Sequence, residues 1–150
     1  MATACVLNGR LYVMGGIFCN KLQVLEYSEE NGFSWTVKAD LPVVRHSAAS
    51  VTHDGKLYLI GGYVNWQASS SVLVYDTTLD SWTAGPALQL PYAVTGGHAA
   101  VSAAGEIHLT GNRAGSGEAR LLVYRGGVWG ERTCAYERSA GFVAGSVLLG

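Results

Sequence analysis

GRLYVMGG at residues 9–16 returns as GKLYLIGG at 55–62 and, more divergently, as GEIHLTGN at 105–112. The leading glycines, Gly9, Gly55 and Gly105, stand 46 and then 50 residues apart. Self-similarity at that spacing marks an array of structural units, each too small to bury its apolar face alone. No other feature of the chain constrains its fold as strongly.

Two residues after each glycine come Leu11, Leu57 and Ile107, and four after it Val13, Leu59 and Leu109. A period of two predicts strands with one face buried. Asn8-Gly9 and Asp54-Gly55 lie between such runs and are favoured two-residue hairpin connections. A small pair closes each hairpin: Gly15-Gly16, Gly61-Gly62 and Gly111-Asn112. Such pairs mark places where backbone approaches backbone, and Asn112 is expected to replace a glycine because asparagine tolerates left-handed angles. A third strand follows, QVLEY (23–27), SVLVY (71–75) or RLLVY (120–124), always ending in tyrosine. Trp35, Trp82 and Trp129 then open a fourth. The tyrosines and tryptophans are expected to pack between neighbouring sheets, each keeping a polar atom for a hydrogen bond. Helical periodicity with capping residues is missing from the pattern. The expected class is all-β, with four-stranded antiparallel blades arranged around an axis, because radial stacking buries both faces of each small sheet.

Apolar strand, Gly-Gly, tyrosine and tryptophan at these distances resemble the kelch repeat of kelch β-propellers, from about Ala2 to the end of the chain. Repeat two, Arg45 to Pro86, matches closely, whereas repeat three departs at His108 and Asn112. The resemblance implies one incomplete propeller domain over residues 1–150, with repeats at about 2–37, 45–84 and 96–131 and a partial fourth at 138–150. Propellers have ~4 to 8 blades, so the chain is expected to be a piece of a larger ring whose open blade edges invite self-association.

The composition, 49% apolar and 14% charged with a net charge of -1, offers no basic footprint to phosphate backbones, so nucleic acid is not expected as a partner. No apolar run approaches the ~18 residues that span a bilayer, and the first residues lack the pattern of a secretion signal, so no membrane partner is expected. Cys5, Cys19 and Cys134 form no CxxC pair and suggest neither a disulfide framework nor a zinc site. With no Asn-x-Ser/Thr acceptor present, a cytoplasmic protein is expected.

His46, His53, His98 and His108 occupy different columns of the repeat, and none has a metal-ligand spacing to another donor. Neither metal nor cofactor is expected, and no catalytic residue is assigned. His53 is expected to be solvated and His108 to be a packed replacement for tyrosine. His46, at the mouth of a strand, keeps a role as a ligand contact because it titrates near neutrality. Glu29-Glu30, Asp76 and Asp80 read as turn formers.

The loop after each second strand remains. Loops of one type emerge on one face, so Ile17, Phe18, Asn20, Lys21, Tyr63, Asn65, Trp66, Gln67 and Arg113 should converge on one rim. Trp66 matters most, since a loop tryptophan has no core to fill and its type is enriched at binding hot spots. The kelch resemblance implies a pocket made from residues just after the glycine pair and residues opening the first strand. Here these are Ile17, Tyr63 and Arg113 together with Arg45, His46, Ser47, Arg138 and Ser139. Arg45, Arg113 and Arg138 would suit an acidic peptide. The implied function is a protein-protein interaction module, such as the substrate-recognition part of a ubiquitin ligase or a cytoskeletal binder within a longer protein. The alternatives are a sugar-handling enzyme resembling kelch-like galactose oxidase or sialic acid epimerases, with Trp66 as stacking platform beside Arg45 and His46, and a truncated fragment without function.

Overall fold

The computed structural model describes residues 1–85 and 88–133. Four strands form the first sheet: β1 (Thr3–Leu7), β2 (Arg10–Met14), β3 (Leu22–Ser28) and β4 (Gly32–Val37), paired antiparallel in chain order. After β5 (Arg45–His46), the second sheet follows with β6 (Ala49–His53), β7 (Lys56–Ile60), β10 (Val72–Asp76) and β11 (Ser81–Ala84). The third comprises β12 (Val94–Val101), β13 (Ile107–Arg113), β14 (Ala119–Arg125) and β15 (Val128–Arg132). The repeat of the sequence is thus a repeat of four-stranded sheets, and the innermost strands β1, β6 and β12 lie side by side. The arrangement is all-β, an arc of consecutive kelch-type propeller blades. The partial repeat at 138–150, with Arg138 and Ser139, lies outside the described residues.

The hairpin turns form as their residues dictate: Asn8 and Gly9 have φ of 51° and 72°, and Asp54 and Gly55 have 47° and 70°, the paired positive angles of a type I′ turn. Between blades the seams are apolar. Tyr12, Met14, Leu22 and Val24 pack on Leu57, Leu59, Leu73 and Tyr75, and the next seam sets Ile60 and Val72 against Ile107, Leu109 and Leu122. Each seam is stitched by an indole: Trp82 Nε1 donates to the Ala39 carbonyl at 3.0 Å and Trp129 Nε1 to that of Leu88 at 2.9 Å. Tyr75 adds a hydroxyl donated to Asp80 at 2.5 Å, and Asp80 in turn accepts the Ala39 N–H.

The glycine pairs hold neighbouring blades at backbone contact. Gly16 N–H donates to the Arg45 carbonyl at 2.9 Å and Gly62 N–H to that of Val94 at 2.8 Å. A Cβ on Gly62 would stand 2.5 Å from the His46 carbonyl oxygen, so no side chain fits there.

Three expectations are corrected. Asn112 does not adopt a left-handed angle: β13 runs extended through Arg113, and the irregularity sits across the pair, between Thr95 and His98, where Gly96-Gly97 bulges β12. His53 is not solvated; its side chain is 14% exposed, its ring edge-on to Tyr58 and its Nε2 3.2 Å from Asp54. Tyr27 and Trp35 pack in no seam, since they lie on the outer face of the first blade, 65% and 51% exposed.

Candidate functional site

The loop after β7 is more ordered than its sequence suggests. Tyr63-Val64 forms β8 and Gln67-Ala68 forms β9, joined by a two-residue turn at Asn65-Trp66, and β8 pairs with β5 to give a small three-stranded sheet of order β5-β8-β9. The turn places Asn65 at φ 49° and Trp66 at 64°, the same paired positive angles as Asn8-Gly9, with an indole where glycine normally stands. Register opposes His46 to Tyr63, and their rings stack with centroids 5.1 Å apart and planes 18° from parallel. Trp66 meets His46 edge-on at 5.2 Å and Phe18, from the loop after β2, at 6.0 Å.

Phe18, His46, Tyr63 and Trp66 therefore form one contiguous aromatic cluster at the glycine-pair end of the blades. Phe18 is 86% and Trp66 65% exposed, and Ile17 beside them is also open to solvent. His46 Nδ1 lies 3.2 Å from the Ser47 hydroxyl, whereas Nε2 is buried without a partner. Partial burial, with the N-terminal ammonium nearby, lowers the pKa of the ring below its ordinary value.

Other sequence-selected residues are placed differently. Arg45 is only 2% exposed: Nη1 donates to the carbonyls of Gly61 at 2.6 Å and Ser71 at 3.2 Å, and Nη2 to the Ser71 hydroxyl at 2.6 Å. Burial pulls its pKa down to about 10. Its side chain is turned into the blade, among the carbonyls of Gly61 and Ser71, rather than out to solvent as expected from its place in the sequence. Lys21 pairs with Asp40 at 2.6 Å, and the Asn20 amide donates to the Leu41 carbonyl at 3.3 Å. Ser47, at φ 54°, bridges blades through its backbone, its carbonyl accepting from Gly96 N–H at 3.0 Å. Gln67 is exposed on β9. Arg113 ends β13 rather than lying in a loop, and its guanidinium covers the Tyr92 ring at 4.7 Å, a contact the sequence did not signal. Among the described residues no group of three His, Cys, Asp or Glu is placed to hold a metal ion.

A concavity of about 500 Å³ opens at the opposite end, between the hairpin turns of the second and third blades. Its polar groups are engaged with one another: Glu106 pairs with Arg125 at 3.0 Å, and its carboxylate lies 3.3 Å from His108 Nε2, as Asp54 lies 3.2 Å from His53 Nε2. The aromatic cluster is the better candidate, because Phe18 and Trp66 keep most of their apolar surface exposed.

A kelch motif model matches residues 45–89. Kelch repeat and BTB domain-containing protein A55 of vaccinia virus (strain Western Reserve) is 37% identical over 92 residues, covering 57% of this chain and 16% of that protein. Kelch-like protein 33 of Homo sapiens is 33% identical over 127 residues, covering 81% of this chain and 23% of that protein. The chain thus spans less than a quarter of the length of these relatives. In three dimensions it resembles the solved structure of YjhT, with a TM-score of 0.72 at 18% identity, over 87% of this chain and 49% of that one.

Proposed function

From a chain that carries a kelch motif and is related to kelch-repeat proteins, we propose a protein-interaction module that takes a partner protein at the glycine-pair end, with Trp66 central to the contact. The observation that carries this reading is the backbone of Trp66. A left-handed angle disfavours a side chain by roughly 1–2 kcal/mol, and glycine is the residue that a type I′ turn prefers. The same turn at Asn8-Gly9 and Asp54-Gly55 uses glycine. An indole kept at that cost on a loop tip, 65% exposed and flanked by Phe18 and His46, is not something folding requires. Tryptophan anchors of this kind dominate interface energetics.

With Arg45 turned inward and Lys21 paired to Asp40, the proposed preference for an acidic peptide rests on Arg113 among the described residues. The BTB domain named in the viral relatives favours a longer architecture in which this module selects the partner of a ubiquitin ligase. Trp66→Gly tests the reading cleanly, because it deletes the ring and relaxes the turn. Peptides selected from a displayed library on the native protein should lose about 2 kcal/mol or more of binding, roughly thirtyfold, while the melting temperature holds or rises. Unchanged binding in Trp66→Gly and in Phe18→Ala would overturn it.

A further inference from the structure

The third blade turns between its last two strands more tightly than the second. Six residues separate Tyr75 from Trp82, and four separate Tyr124 from Trp129. The longer turn carries Asp80, whose carboxylate accepts the Tyr75 hydroxyl and the Ala39 N–H. The shorter one is Gly126-Gly127, with φ of 58° and 88°, and has no side chain in that place. A Cβ at either glycine would meet nothing within 4 Å. Beside this bare turn lies the concavity of about 500 Å³, walled also by His53 and Asp54 of the second blade and by Ala104, Gly105 and Glu106 of the third. Both walls are turns of complete four-stranded sheets, so the opening is a product of the turn itself.

The polar contacts inside the concavity leave atoms of both signs unpaired. Arg125, 72% exposed, gives only Nε to Glu106, and its two terminal nitrogens make no hydrogen bond among the described residues. Both oxygens of Glu106 are engaged, the second lying 3.3 Å from His108 Nε2. Asp54, 83% exposed, has Oδ2 beside His53 Nε2 and Oδ1 open. Tyr124 packs on Trp129 with ring centroids 5.2 Å apart, and its hydroxyl, unlike that of Tyr75, donates to nothing among the described residues. One wall therefore offers a carboxylate oxygen, and the other offers guanidinium and hydroxyl donors. Tyr58 senses both: burial first, and then Tyr124 and Asp54, hold the pKa of its hydroxyl above the ordinary value.

We propose that this concavity binds a small zwitterion bearing an ammonium and a carboxylate, the chemistry of a free amino acid or a dipeptide. The ammonium faces Asp54. The carboxylate stands in for the side chain that Asp80 supplies in the second blade, accepting from the Tyr124 hydroxyl and from the terminal nitrogens of Arg125. An anion alone would meet Asp54 and Glu106 uncompensated, and a cation alone would meet Arg125, so the arrangement favours a ligand with both charges. The volume lies within the roughly 300–1,000 Å³ of small-molecule sites. The concavity is at the opposite end from the Trp66 cluster, so neither assignment depends on the other.

Amide NMR of the isotope-labelled chain tests this, with the common L-amino acids and the dipeptide alanylalanine as probes. The expected result is a saturable shift at the amides of Gly105, Gly126 and Gly127 with at least one probe, and the tighter binder identifies the source of the two charges. For that probe, the amide derivative lacks the carboxylate and the N-acetyl derivative lacks the ammonium. Each should bind roughly tenfold more weakly or worse, the loss of one charge-assisted contact. Asp54→Asn, which keeps a residue favoured in its type I′ turn, should erase the discrimination against the N-acetyl derivative, and Arg125→Gln that against the amide. Unshifted amides elsewhere in each variant show that the fold is kept. No saturable shift at the three glycines with any probe, a derivative that binds as tightly as its parent, or discrimination that survives both substitutions would each overturn the proposal.

Discussion

The guanidinium of Arg45 donates to three acceptors of its own blade, the carbonyls of Gly61 and Ser71 and the Ser71 hydroxyl. Arg45→Ala is therefore expected to cost about 2–4 kcal/mol, read as a melting temperature lower by several degrees, with Arg45→Lys intermediate. A residue whose role was partner contact would leave the melt unchanged. His46 behaves oppositely to a charged anchor. Because burial lowers its pKa, the folded chain binds fewer protons than the unfolded chain once pH falls below about 6.5. The stability owed to neutral His46 is thus complete above that pH and is lost as pH falls through it. Melts compared at about pH 7 and pH 5 should diverge, and His46→Asn should flatten the difference. Both residues were visible in the sequence as strand-opening positions. What the sequence did not reveal is that Arg45 turns inward, because the acceptors it meets lie 16 and 26 residues away and only the fold gathers them.

Among the strands and turns, local chemistry was the better guide. Alternation of Leu11 and Val13, with Asn-Gly and Asp-Gly turns, predicted hairpins that formed, because pleat and turn angle are decided within a few residues. The hairpin β8–β9 escaped notice since its two-residue strands are too short to show alternation and its turn has Trp66 in place of glycine. The left-handed glycines are also of two kinds that sequence does not separate. Gly9, at φ 72°, has open space where a Cβ would go, whereas Gly62, at 81°, faces the His46 carbonyl at 2.5 Å. Gly9→Ala should cost about 1 kcal/mol from backbone angle alone. Gly62→Ala should cost at least twice as much, because the backbone at His46 and Ala48 must also give way, and denaturant melts of the two variants measure the contrast.

In the molecule as a whole, stability is carried by seams that recur with the blade. Trp82→Phe and Trp129→Phe each remove one indole bond across a different seam and should each cost about 1–2 kcal/mol. The double variant should lose their sum within about 0.5 kcal/mol, as expected of distant sites in a repeat array. Period, strand alternation and turn residues by themselves determined the all-β class and the four-stranded blade, since these follow from interactions between near neighbours along the chain. The equal columns Trp35, Trp82 and Trp129 read alike in sequence, yet two are stitched into seams and one stands on an open face. Likewise Arg45, Arg113 and Lys21 all read as available charge, and only the folded chain assigns the first to buried carbonyls, the second to Tyr92 and the third to Asp40. The tertiary structure alone decided those fates, because burial and pairing depend on which surfaces the blades bring together, and that geometry is not written at any single position.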